Sequence, residues 1–102
     1  RPMSVTADTE LAVLLDVGDS HIELFAPLTA DGPVAGALAK RGAGMHHVAY
    51  EVEDIYAARD KLKAQGARVL GDGEPKIGAH DKPVLFLHPK DFTGTLIELE
   101  QV

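Results

Sequence analysis

The sequence predicts an α+β fold made of two related blocks, of which the first is incomplete. The second half of the chain reads as a strand, a helix and three further strands. Both halves close on the tripeptide Ile-Glu-Leu, at residues 22–24 and 97–99, which indicates an internal repeat. His47 and Glu98 are 51 residues apart, whereas only 22 residues precede Glu23. A first strand and helix are therefore expected upstream of this sequence.

Two strands and a helix are expected in the first half. Residues 11–17 are an apolar run apart from Asp16, which predicts a buried strand. The Gly-Asp pair at 18–19 supplies a hairpin turn to a second strand over residues 21–26. Proline is favoured at the first helical position and glycine just after a helix ends, so a helix is predicted from residue 33 to the glycine at 42 or 44.

The second half alternates between the two periodicities. A strand over residues 46–52 leads to a helix that Asp54 caps and Gly66 ends, with an apolar stripe every third or fourth residue. The remaining segments are punctuated by glycine and proline and are expected to be a short strand at 67–70, a loop at 71–83, a strand at 84–88, a turn at 89–94 and a strand at 95–101.

Polar residues inside these strands are the candidates for chemistry, because successive strand side chains point to opposite faces. Val48, Tyr50 and Val52 share a face that suits packing against helices, and His46 shares it as a core or subunit-contact residue. Opposite to such apolar faces lie the three candidate ligands Glu23, His47 and Glu98. One histidine with two carboxylates suits a divalent ion of the Mg, Mn, Co or Fe type. Alternation is also expected of any half-exposed sheet, so parity alone leaves a solvated polar face open.

Composition excludes several classes of function. The 102 residues allow one domain, and a formal net charge of −6 argues against a nucleic-acid partner. No apolar run approaches the roughly 18 residues that a membrane span needs. Cysteine is absent, so disulfides and thiolate chemistry are excluded, which fits a cytoplasmic location.

Several segments resemble one enzyme family. Residues 44–52, GMHHVAYEV, are similar to the strand that opens the second module of methylmalonyl-CoA epimerases, in the vicinal-oxygen-chelate superfamily. Residues 76–84, KIGAHDKPV, resemble the substrate-side loop of that family. Residues 86–91, FLHPKD, and 94–99, GTLIEL, resemble its closing hairpin.

The resemblance implies a fold and a metal site. It implies paired β-α-β-β-β modules that form a cupped mixed sheet, with residues 1–43 as a partial first module and 44–102 as the second module of a single domain. It implies Glu23, His47 and Glu98 as ligands of a divalent ion of the Co, Mn or Mg type. Glu23 stands where many members have glutamine, and the family's remaining ligand, a histidine on the first strand, has no match here.

The resemblance also implies an activity, the epimerisation of methylmalonyl-CoA at C2 by proton abstraction and return through a metal-stabilised enolate. Glu98 is the expected catalytic residue of the acid/base pair, and the second group is not assigned because residues 1–10 resemble the family poorly. His80 and Lys90 are candidate contacts to the acyl-CoA substrate. A homodimer is expected, as is common in the superfamily.

Two other functions compete with this one. A different metalloenzyme of the superfamily, of the glyoxalase or dioxygenase type, would share the metal cup but lack the two loops that carry His80 and Lys90. A metal-free small-molecule binding protein would not require the three candidate ligands on matching strand faces.

Overall fold

The computed structural model of the chain describes residues 3–6 and 10–102. Two compact units, Arg1–Gly44 and Met45–Val102, divide the chain, and each is described by itself. Both units combine a sheet with one helix, so the predicted α+β class is confirmed. Among the described residues no helix is long and apolar enough to cross a membrane. Whether the two units make up one domain stays a prediction.

The first unit is a three-stranded antiparallel sheet in the order β1-β2-β3. Its strands are β1 (Met3–Thr6), β2 (Glu10–Val17) and β3 (Ser20–Pro27). The predicted hairpin is confirmed, with Val17 opposite Ser20 and Gly18 at φ 62°, a conformation that glycine adopts without strain. The sequence prediction missed β1, because a four-residue strand is too short to show a periodic pattern and exists through its pairing with β2.

Helix α1 (Pro33–Arg41) follows this sheet and has the predicted bounds. Pro33 occupies the first turn, where its missing N–H costs nothing. Gly42 takes a positive φ of 73° and donates its N–H to the carbonyl oxygen of Leu38 at 2.9 Å, which ends the helix.

The second unit is a mixed four-stranded sheet in the order β4-β7-β6-β5. Strand β4 pairs in parallel with β7, and the other two pairings are antiparallel. The predicted order of a strand, a helix and three strands is confirmed, as β4 (Val48–Val52), α2 (Ile55–Ala64), β5 (Lys76–Ile77), β6 (Pro83–Leu87) and β7 (Ile97–Gln101). A 3₁₀ turn, Pro89–Asp91, joins the last two strands.

Helix α2 covers one face of this sheet. The Asp54 side chain accepts a hydrogen bond from the Ala57 N–H at 3.1 Å, as the capping pattern predicted. Ile55 is fully buried in an apolar cluster with residues of β6 and β7, and Ala58 and Leu62 pack against it. The members from the sheet are Leu85, Leu87, Ile97 and Leu99. The opposite face of β7, which carries Glu98, is therefore left free of the helix.

The prediction of a strand at residues 67–70 was wrong. That segment makes a single bridge, Val69 to Leu87, and the third strand is β5, inside the predicted loop. Both segments lie on the same edge of β6, because Val69 meets Leu87 and Ile77 meets Pro83. The chain leaves this edge after residue 70, through glycines with positive φ, and then returns to it.

The internal repeat is confirmed in the strand register. Glu23 lies opposite Leu14 in the β2–β3 hairpin, and Glu98 lies opposite Phe86 in the β6–β7 pair. Strands β1-β2-β3 and β5-β6-β7 are both antiparallel runs in chain order. The two Ile-Glu-Leu tripeptides thus occupy equivalent places in two similar sheets.

The two copies differ in burial. Ile97 and Leu99 are buried beneath α2, whereas Ile22 and Leu24 are 51% and 54% exposed. Glu23 is half-buried on the other face of β3. The apolar face that the sequence predicted around Glu23 therefore exists, but α1 leaves it largely uncovered, and in the described residues no second helix of that unit lies on it.

Candidate active site

His47 and Glu98 come together where β4 and β7 run side by side. The Nε2 atom of His47 lies 2.7 Å from Oε1 of Glu98, with 14% and 15% of the two side chains exposed. Parallel pairing sets Ala49 beside Glu98, and the Val48 N–H donates to the Leu96 carbonyl oxygen at 3.0 Å. Because of this backbone register, His47, which lies just before β4, is placed next to the Glu98 carboxylate. The predicted proximity of these two residues is thus present in the structure.

His46 also contacts His47, which the sequence analysis did not predict. Its Nδ1 atom lies 2.8 Å from Nδ1 of His47, and the two rings meet edge to face with centroids 5.0 Å apart. Alternation placed His46 on the opposite face, but β4 begins only at Val48, two residues later than predicted. Side chains before the first strand residue do not follow the strand period.

Phe86 lies beside the His47–Glu98 pair. It lies directly opposite Glu98 in the β6–β7 register, and its ring meets the His47 ring edge to face at 5.8 Å. An aromatic ring next to a carboxylate and an imidazole limits the water around both groups, which strengthens the interaction between them.

His80 approaches the same sheet face two residues along β7. Its Nδ1 atom lies 2.9 Å from Oε2 of Glu100, a residue that shares a face of the strand with Glu98. The side chain of Glu100 is 13% exposed and that of His80 is 43% exposed. The sequence analysis singled out His80 but not Glu100, although the strand parity of Glu98 and Glu100 could have indicated it.

Lys90 lies in the 3₁₀ turn Pro89–Asp91, where it is exposed. Its N–H donates to Nδ1 of His88 at 3.1 Å. Arg68 holds the turn, because its Nε and Nη2 atoms each bond the Asp91 carboxylate at 3.0 Å and its backbone N–H makes a third bond at 3.0 Å. These hydrogen bonds keep the pKa of Asp91 below its ordinary value. The role of Lys90 as a contact to the substrate stays a prediction.

Comparison with known proteins identifies the family of this chain. Residues 4–86 match the model of the glyoxalase/bleomycin resistance protein/dioxygenase superfamily. An ethylmalonyl-CoA/methylmalonyl-CoA epimerase of Cereibacter sphaeroides is 64% identical over 91 residues, which are 88% of this chain and 68% of that protein. The chain belongs to the methylmalonyl-CoA epimerase family. Its members are enzymes, and the resemblance read from the sequence motifs is thereby confirmed.

Other members of the epimerase family are longer than the matched region. The mitochondrial methylmalonyl-CoA epimerase of Mus musculus is 53% identical over 90 residues. The match covers 87% of this chain but 50% of that relative, so this chain spans about half the length of the mouse protein. A Streptomyces coelicolor methylmalonyl-CoA epimerase variant, solved with 2-nitronate-propionyl-CoA, is 34% identical with a TM-score of 0.80. That comparison covers 97% of this chain and 74% of the solved one. The fold of the epimerase family is thus present over nearly all of this chain.

Two of the three predicted metal ligands, His47 and Glu98, are adjacent in this structure. His47 and Glu98 supply a nitrogen and an oxygen at 2.7 Å, a donor set that suits a divalent ion. Within residues 3–6 and 10–102, no group of three or more His, Asp or Glu side chains gathers closely enough to hold a metal. Glu23 lies in the other unit, on β3, and its part as a ligand stays a prediction.

Proposed function

We propose that this protein epimerises methylmalonyl-CoA at C2, with Glu98 as the catalytic residue that exchanges the C2 proton. The observation that carries the proposal is the His47–Glu98 pair, on the helix-free face of a sheet in a member of the epimerase family. The C2 hydrogen of such a substrate is acidic, because the thioester carbonyl next to it can take up the charge left behind.

Glu98 has the chemistry for this step. Its carboxylate oxygen takes the C2 proton while the C–H electron pair moves towards the thioester oxygen, and the C–H bond breaks as the O–H bond forms. The Nε2 atom of His47 lies 2.7 Å from Oε1 of Glu98 and keeps the carboxylate in one orientation. Phe86 excludes water from one side of the pair.

Epimerisation requires a second group on the opposite side of C2. Return of the proton from the side it left would only regenerate the starting epimer, so an acid facing Glu98 across the substrate must deliver it. The second group is not assigned to a residue.

The proposed site takes a divalent cation of the Co, Mn or Mg type. His47 and Glu98 would hold it, with Glu23 as a further predicted ligand. A cation bound there would supply Lewis acidity, which offsets the negative charge that grows on the substrate oxygens as the proton leaves.

The test is deuterium exchange at C2 of methylmalonyl-CoA in heavy water, followed by NMR. Exchange is expected for the protein as it stands, is expected to stop after chelation, and is expected to return with Co²⁺ or Mn²⁺. Glu98→Gln removes the base and should abolish the exchange. Glu53→Gln, a matched change at an exposed carboxylate outside the site, should not. A folded protein that binds the substrate and leaves its C2 hydrogen in place would contradict the proposal.

The proposal also covers the choice of acyl group, the oligomeric state and the cellular location. The name of the Cereibacter sphaeroides relative includes ethylmalonyl-CoA, so the exchange is to be measured on ethylmalonyl-CoA in parallel. A homodimer in the cytoplasm is part of the proposal, and sedimentation equilibrium of the protein tests the dimer.

A further inference from the structure

The loop at residues 78–82 lies on the sheet face that carries Glu98. It connects β5 to β6, and the Gly78 N–H donates to the Lys82 carbonyl oxygen at 2.9 Å to close it. The backbone of Gly78 rests on Val84, since a Cβ atom added to Gly78 would lie 2.8 Å from Cγ1 of Val84. Val84 pairs with Glu100 across β6 and β7, which places the loop over the end of that strand.

A side-chain hydrogen bond ties the loop to the same strand. The carboxylate of Glu100 accepts from Nδ1–H of His80 at 2.9 Å, and this carboxylate is largely withdrawn from solvent at 13% exposure. A charge-assisted hydrogen bond to a shielded carboxylate is stronger than a hydrogen bond between neutral groups. It opposes the freedom of a five-residue loop and selects one position for His80.

The distance from this anchor to the proposed base is short. Residues two apart in a strand share a face and are separated by about 7 Å, so Glu98 and Glu100 are neighbours. A malonyl thioester that reacts at Glu98 has a carboxylate on one side of C2 and a thioester on the other, so one of these two groups can point along the strand towards Glu100. A group that points in this direction meets the loop that His80 ties to Glu100.

We propose that Glu100 is a positioning residue, which acts through His80 to hold the loop at residues 78–82 against the acyl end of the bound acyl-CoA. The inference rests on the proposed function, because it takes Glu98 as the place where the acyl group reacts. Glu100 does not touch the reacting carbon in this arrangement. It shapes the wall of the site, and its loss therefore weakens substrate binding without changing proton transfer.

The test compares Glu100→Ala, Glu100→Gln and His80→Ala in steady-state epimerisation of methylmalonyl-CoA. Loss of one charge-assisted hydrogen bond should raise KM about tenfold in Glu100→Ala and in His80→Ala, while kcat changes less than about threefold. Glu100→Gln retains an acceptor oxygen and should restore KM to within about threefold of the wild-type value. The double variant should be no worse than either single variant, because both remove the same contact.

Two further measurements separate this proposal from the proposed function. Amide hydrogen exchange at residues 78–82 should quicken in Glu100→Ala and not in Glu100→Gln. The Kd of methylmalonyl-CoA, measured by calorimetry, should rise with KM. If Glu100→Ala raises the Kd of methylmalonyl-CoA but the wild-type protein exchanges no C2 proton, the proposed function is overturned and the positioning role stands.

Three results would overturn the positioning role. They are a Glu100→Ala protein with wild-type KM and Kd, a raised KM with unchanged exchange at residues 78–82, and a Glu100→Gln protein as impaired as Glu100→Ala. The first would mean that the loop does not meet the substrate. The second would mean that Glu100 does not act through the loop, and the third that its hydrogen bond is not what matters.

Discussion

The imidazole of His47 and the carboxylate of Glu98 lie 2.7 Å apart, although 51 residues separate them in the chain. One residue precedes β4 and the other lies within β7, and the parallel pairing of these strands is what joins them. Because the two groups are in direct contact and both are largely shielded from water, a change in either one alters the interactions of the other.

This coupling predicts the behaviour of a double-variant cycle. His47→Ala and Glu98→Gln should each lower the rate of C2 deuterium exchange by more than about 100-fold. Loss of a residue that only hydrogen-bonds to a metal ligand costs up to about 100-fold, and a proposed ligand should cost more. The double variant should be no slower than the worse single variant, because residues that act as a unit are not additive. Losses that multiply would contradict a shared role.

The two copies of the Ile-Glu-Leu tripeptide predict unequal effects on stability. Leu99→Ala removes a buried side chain beneath α2 and should lower the free energy of unfolding by about 2–5 kcal/mol. Leu24→Ala, at the equivalent register, should cost about 1 kcal/mol or less because that side chain is 54% exposed. Urea unfolding, with hydrogen exchange in each sheet, measures both. Equal losses would mean that the first sheet is covered like the second.

The N-cap of α2 predicts a specific rescue. Asp54→Ala removes the acceptor of the Ala57 N–H and should destabilise the protein by about 1 kcal/mol. Asp54→Ser keeps an oxygen that can accept the same bond, so it should restore most of the loss. Thermal unfolding of the three proteins is the measurement, and a serine variant as unstable as the alanine variant would argue against the cap.

Two glycines without positive φ predict opposite outcomes. Gly78→Ala forces a methyl group to 2.8 Å from the stiff, buried side chain of Val84 and should cost about 1–3 kcal/mol. Val84→Ala in the same protein should recover part of that cost. Gly36→Ala, in α1, meets nothing within 4 Å and should stabilise by about 0.5–1 kcal/mol. Chemical unfolding tests the signs, and a stabilising Gly78→Ala would disprove the contact.

The Arg68–Asp91 ion pair predicts a loss of stability in acid. Hydrogen bonds from Arg68 lower the pKa of Asp91 in the folded protein, so its stabilising effect is present above the pKa of the unfolded chain. That effect disappears as the pH falls through the lower, folded pKa. The stability difference between the wild type and Asp91→Asn should therefore be largest at neutral pH and should shrink in acid. A difference independent of pH, measured by urea unfolding, would exclude this linkage.

The sequence by itself determined both helices, the strands β2, β3, β4, β6 and β7, and the family. Apolar periodicity and the caps at Asp54 and Gly42 located both helices, because these signals are local and act within one turn. The repeated Ile-Glu-Leu tripeptide indicated two related sheets, and the motifs from residue 44 onward indicated the epimerase family. Strand parity placed Glu98 opposite the apolar face, since alternation follows from backbone geometry alone.

Tertiary structure decided which distant groups meet. The edge of β6 takes β5 rather than residues 67–70 as its strand, because pairing depends on a partner that the local pattern does not contain. The contact of His46 with His47 and the bond from His80 to Glu100 arise across a strand start and a loop, where no period applies. Burial of Ile97 and exposure of Ile22 differ for the same reason: identical tripeptides acquire different environments from what packs against them.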